Sequence, residues 1–240
     1  MRRVAPLLLA LAGACGGGDE RSSESDPLVV SAAASLSTAL KTCSPQDTKL
    51  SFAGSDELAA QIRQGVKPGV FAAANTKLPE QLRAEGLVRE PRVFATNELV
   101  IAVPADSDVR SVDDLSADGV TVAVGATSVP VGAYTAEVLG RLPGAVRQAI
   151  ENNVRTREPD VKGVVGKITQ GAADAGFVYA TDVAAAQGRL RAVRLPSRLQ
   201  PRVAYAAAVV APSEAAQQYL DGLVSGRCQA QLRKAGFGAP

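Results

Sequence analysis

Histidine is absent from the 240-residue chain, and so is tryptophan. Without histidine there is no Ser–His–Asp or Cys–His arrangement for nucleophilic catalysis and no imidazole to ligate a metal. No Gly-x-Ser-x-Gly elbow occurs. Gly163-Val164-Val165-Gly166-Lys167 has the outline of a phosphate loop. Val161, however, stands where that motif needs its first glycine, and Ile168 where it needs Ser or Thr. Aromatic residues make up 4% of the chain, and no basic tract or aromatic–basic interleaving appears, which sets nucleic acid aside as a partner. The arginines scattered over Arg189–Arg202 read as a solvated face, and Asp113-Asp114 as a surface helix start. The sequence therefore points away from an enzyme, and no cofactor is expected.

The N-terminus carries a processing pattern. Arg2 and Arg3 supply a basic start, Val4–Leu11 an apolar run, and Ala12-Gly13-Ala14 small residues before Cys15. The run is too short to span a bilayer, so residues 1–14 read as a cleaved export signal. A cysteine directly after small residues resembles the lipobox of bacterial lipoproteins, in which the thiol receives diacylglycerol. An ordinary signal peptide with an incidental cysteine is the alternative. Residues 15–27 are glycine, serine and charge without apolar periodicity, a flexible tether. This pattern implies an exported protein, held by lipid on the outer face of the cytoplasmic membrane or lying in the periplasm. The charged side chains sum to +2. Loss of Arg2 and Arg3 with the signal leaves 24 groups of each sign.

Two further thiols, Cys43 and Cys228, lie near opposite ends of the mature chain. In an exported protein an even pair favours a disulfide, the alternative being two buried free thiols.

From Leu28 onward strand and helix signals alternate, which predicts sheets covered by helices. Short β-rich runs at Leu28–Val30, Lys49–Phe52 and Gly69–Ala73 are each followed by helical spacing, at Leu36/Leu40, Asp56–Gln64 and Leu78–Glu85. Asn97–Val103 and Val203–Val210 are the strongest buried strands. Between them come strands at Thr121–Val124, Ala175–Tyr179 and Arg191–Leu195, and helices over 132–141, Val161–Gln170 and Thr181–Gln187, the last capped by Thr181 or Asp182. Two helices, Ser213–Leu223 and Ser225–Ala235, close the chain. If both long strands cross between lobes, residues 28–98 plus 206–240 form lobe one and 99–205 lobe two. A cleft between two such lobes is a hinged trap for a small ligand.

Five segments each place a hydroxyl or a free backbone N–H at a helix start: Ala32–Leu36, Phe52–Ser55, Val129–Gly132, Pro159–Gly163 and Gly176–Tyr179. Helix N-termini carry unpaired donors and partial positive charge, so several aimed at one point would cage a small oxyanion. Taken singly, Ser35 and Ser55 are as readily helix caps, Val131 and Val161 core residues, and Tyr179 packing.

Together and in this order, these segments resemble the periplasmic molybdate-binding proteins of ABC transporters, from Leu28 to Phe237. The resemblance implies an α/β, two-lobed type II periplasmic-binding-protein fold, each lobe a mixed sheet flanked by helices, the two joined by crossing strands. It implies ligand donors at Ser35, Ser55, Val131, Val161 and Tyr179, the valines through their backbone N–H. It also implies a monomer that binds molybdate or tungstate and docks on an ABC permease with its ATPase. Sulfate, thiosulfate and phosphate remain alternative ligands. The chain departs from the family pattern at Lys67-Pro68-Gly69 and at Asn75, around the third strand.

Overall fold

The computed structural model describes residues 26–240. The export signal, Cys15 and most of the tether lie outside the described residues.

The first half repeats one local device, a short apolar strand that runs through small residues into a helix. β1 (Val29–Ala33) passes through a 3-10 turn (Ala34–Leu36) into α1 (Ser37–Cys43). β2 (Lys49–Ala53) leads to α2 (Ser55–Arg63), and β3 (Val70–Ala73) to α3 (Lys77–Ala84). Asn75, one of the departures from the family pattern, accepts the Leu78 N–H at 3.1 Å and steadies the start of α3. β4 (Arg92–Asn97) and β5 (Leu99–Pro104) follow with one residue between them. A second series then begins. β6 (Val122–Gly125) precedes α4 (Pro130–Gly140) and α5 (Gly144–Asn153), and β7 (Val154–Glu158) precedes α6 (Val161–Thr169). β8 (Ala175–Tyr179) leads to α7 (Ala180–Ala185), and β9 (Leu190–Arg194) ends the series. β10 (Val203–Val209), α8 (Glu214–Ser225) and α9 (Arg227–Lys234) complete the chain.

The strands form two mixed five-stranded sheets of matching layout, ordered β2-β1-β3-β10-β4 and β7-β6-β8-β5-β9. In each, three neighbouring strands are parallel, and a strand from the other half of the series joins them antiparallel. The chain passes from the first sheet to the second at Glu98. Asn97 still pairs with Val203, whereas Leu99 already pairs with Tyr179. It returns through residues 195–202 into β10, which lies wholly in the first sheet.

Four elements differ from the sequence expectation. The Asn97–Val103 run is divided at Glu98, and residues 92–96 form strand ahead of it, on the sheet edge where Val93 is exposed. α5 and β7 were not expected. α5 buries only Ile150, and β7 is an edge strand with no fully buried residue, so neither carries a strong apolar period. α7 begins at Ala180, ahead of the expected Thr181 or Asp182 cap. Asp182 instead turns back to accept the Tyr179 N–H at 3.3 Å.

Alanine does much of the packing. Ala72, Ala73 and Ala206–Ala208 are fully buried in the middle of the first sheet, and they let helices approach closely around Phe71, Phe94 and Tyr205. Cys43 at the end of α1 and Cys228 in the first turn of α9 are bonded as a disulfide, with Cα atoms 5.0 Å apart and a sequence separation of 185. Among the described residues no helix is long and apolar enough to cross a membrane. Closing so long a loop restricts the unfolded chain, so reduction of the bond or Cys43→Ser is expected to lower unfolding free energy by about 2–5 kcal/mol. Urea denaturation with and without reductant measures this.

Candidate functional site

The parallel strands of the two sheets run their C-terminal ends towards a common crevice, where ligands of open α/β sheets sit. Each strand end delivers one expected residue. β1 opens into the turn holding Ser35. β2 ends at Gly54, the N-cap of α2, so Ser55 is the first helical residue. Pro130 and Val131 are the first two residues of α4. Asp160 caps α6, leaving Val161 as its first residue, and Tyr179 is the N-cap of α7. All five residues, Ser35, Ser55, Val131, Val161 and Tyr179, line one cavity of about 20 Å³. That volume admits one compact guest and excludes a sugar or a peptide.

Its walls are short of charge. Among the described residues Asp160 is the only carboxylate in them, and its Oδ1 accepts the Gly163 N–H at 2.9 Å. No lysine or arginine of the described residues lines the cavity. Lys162 stands nearby, but its Nζ lies 2.9 Å from the fully buried carboxylate of Asp182. Burial pushes the Asp182 carboxyl above its ordinary range, and the Lys162 ammonium opposes that shift.

What the walls offer is hydrogen-bond donors. The first-turn N–H groups of α4 and α6, at Val131 and Val161, have no carbonyl within their own helices to bond. Ser55 Oγ accepts the Ala74 N–H at 3.1 Å, so the lone pair facing β3 is taken and its own proton is free. Neither serine caps its helix by a side-chain bond. Ser35 Oγ instead lies 3.0 Å from the Tyr205 phenol. The Tyr179 phenol is buried, and among the described residues it has no hydrogen-bond partner within 3.5 Å. Burial pushes the phenols of Tyr179 and Tyr205 well above the ordinary tyrosine range, so both keep their protons. An unpartnered buried O–H is costly unless a ligand completes it.

Sequence reasoning missed four contributors. Ala74 holds Ser55, and Asn97 and Tyr205 stand behind Ser35. The signal for the latter two was there: Tyr205 interrupts an alanine run and Asn97 opens a buried apolar one. The fourth is Gly54. A Cβ at that position would lie 2.4 Å from the Pro159 carbonyl oxygen, across the crevice. The two rims meet there in backbone contact that only glycine permits. Gly54→Ala is expected to hold the lobes apart, read as an increase in radius of gyration by small-angle X-ray scattering. An unchanged radius would show that the rims do not limit closure.

Comparison with known proteins gives a consistent picture. The bacterial extracellular solute-binding protein family matches residues 28–238. The molybdate-binding protein ModA of Mycobacterium tuberculosis is 33% identical over 257 aligned positions, covering 99% of this chain and 96% of the relative. Among solved structures, the substrate-binding domain of a putative molybdenum ABC transporter from Clostridium difficile is 29% identical. It superposes with a TM-score of 0.65, covering 89% of this chain and 98% of that one. The periplasmic molybdate-binding protein of Azotobacter vinelandii, at 21% identity, superposes with a TM-score of 0.76 over 89% of this chain and 99% of its own. These relatives are solute-binding proteins, not enzymes.

Proposed function

The chain belongs to the bacterial extracellular solute-binding protein family, and from that premise we propose that it captures molybdate outside the cytoplasm and delivers it to an ABC permease whose ATPase drives uptake. Tungstate, nearly the same size and charge, is expected to bind as well. The observation that carries this reading is a cavity whose polar groups, Asp160 apart, are donors, with no cation among the described residues that line it. A fully deprotonated tetrahedral dianion only accepts hydrogen bonds, so donors alone satisfy it. Hydrogen phosphate carries an O–H that needs an acceptor, and among the described residues the wall offers a single carboxylate, Asp160, whose Oδ1 already accepts the Gly163 N–H. Sulfate meets the same donors as molybdate and is the competitor that matters. The mycobacterial relative, named for molybdate and similar over nearly its whole length, favours molybdate.

In this reading Ser35 and Ser55 of the lobe built on the first sheet take the ion first. Val131, Val161 and Tyr179 of the lobe built on the second sheet complete the cage as the lobes close about the two connections. The protein works as a monomer, tethered by residues 15–27 to a lipid on Cys15.

Calorimetric titration of the mature protein with molybdate, sulfate and phosphate tests the reading, and tighter binding of molybdate than of both others is expected. Ser35→Ala and Ser55→Ala are each expected to cost about 1.5–3 kcal/mol of molybdate binding, the scale of a hydrogen bond to a charged group. Unchanged affinity in both variants rejects the assignment. Because the buried phenols titrate above the ordinary range, molybdate affinity is expected to stay level from about pH 7 to pH 9, below the ordinary tyrosine value. A decline within that window would show that a donor is losing its proton.

A further inference from the structure

The side chains behind Ser35 form a hydrogen-bonded series whose direction follows from its one fixed end. Asn97 closes β4, immediately before the residue at which the backbone changes sheets. Its Oδ1 accepts the Glu98 N–H at 2.9 Å. A backbone N–H can only donate, so the amide orientation is set and Nδ2 faces the other way. Nδ2 has two hydrogens. One reaches Thr181 Oγ1 at 2.9 Å, in the first turn of α7, and the other the Tyr205 phenol oxygen at 3.4 Å.

Tyr205 is fully buried, packed edge-on among Phe94, Tyr179 and Phe237, and is not part of the cavity wall. Its O–H needs an acceptor. Asn97 Nδ2 has no lone pair to give, so of the two partners within 3.5 Å only Ser35 Oγ, at 3.0 Å, can accept. Tyr205 therefore donates to Ser35, and the Ser35 proton is turned into the cavity. Ser55 is held in the same sense by the Ala74 N–H, a backbone group that no side-chain substitution changes. Ser35 takes its orientation from side chains, so Ser35 is where this chain can set the polarity of its site.

We propose that Asn97 is a positioning residue that biases specificity: through Tyr205 it turns the Ser35 proton into the cavity, so the cavity favours oxyanions without a proton over those that carry one. This rests on the oxyanion-binding reading above and deepens it. A Ser35 whose proton faces the cavity offers a protonated anion no acceptor in that direction, which leaves Asp160 as the carboxylate acceptor in the wall. Removing the Asn97 amide frees Tyr205 and Ser35 to reverse together.

The test is calorimetric titration, with molybdate and with inorganic phosphate, of the mature protein, Asn97→Ala, Tyr205→Phe, Ser35→Ala and the two double variants that add Ser35→Ala. Asn97→Ala and Tyr205→Phe are each expected to weaken molybdate binding on the order of tenfold. The molybdate-to-phosphate affinity ratio falls with it, and neither substitution has a further effect once Ser35 is alanine. Asn97→Asp, nearly identical in shape but an acceptor where Nδ2 donates, is expected to be at least as damaging as Asn97→Ala, a result that packing alone would not produce. Additive losses in the double variants, or equal weakening of both anions, would overturn the proposal and leave Asn97 a hinge support. If Asn97→Ala does not fold, Tyr205→Phe, which keeps the ring, carries the same comparison. Failure of the unaltered protein to bind molybdate would refute the parent reading and the relay together; binding by the unaltered protein with no change in the variants refutes the relay alone.

Discussion

A dianion taken out of water loses the hydrogen bonds that stabilised it, and a protein that holds it without a counterion must replace them with dipoles. In the proposed reading the crevice between the two sheets makes that replacement. Helix starts from both halves of the molecule converge on it, and their first N–H groups lack partners within the helix. The serine and tyrosine hydroxyls at those starts have their protons to spare, because backbone or side-chain donors already occupy the serine oxygens and burial keeps the phenol protonated. The nearest cation, Lys162, is bound to Asp182 and does not line the cavity. Everything else in the fold serves to bring these donors to one point.

The scaffold divides the task between halves. The first sheet carries the two serines and the second carries the tyrosine and the two valine N–H groups. Two halves joined by two short connections can part and close, and the contact of Gly54 with the Pro159 carbonyl marks where the rims meet. Within the first half, the disulfide ties α1 to α9 and so joins the start of the described chain to its end. That staple acts on one lobe and leaves the approach of the two lobes unrestrained.

Much of this was legible in the sequence because it is local. A strand, a small residue and a helix start are adjacent in the chain, so the five segments could be found by reading along it, and the residues they contain line one cavity. The family resemblance rested on the order of those segments. Edge elements were not legible: α5 and β7 bury too little to leave a period, and β4 shows an exposed valine on its outer side. The supports behind Ser35 were invisible for a different reason. Asn97 and Tyr205 lie 108 residues apart, and Tyr205 lies 170 residues from Ser35, so only the folded chain shows that they form one series. The lone tyrosine in an alanine strand signals that something is held there, but not what.

The account stands on neutral donors from both lobes surrounding the ion. A crystal structure of the protein grown with molybdate tests this directly. The account predicts the ion in the crevice, its oxygens within hydrogen-bond distance of Ser35 Oγ, Ser55 Oγ, the Tyr179 phenol and the N–H groups of Val131 and Val161. An ion found elsewhere, or ringed by lysine and arginine side chains, would contradict it.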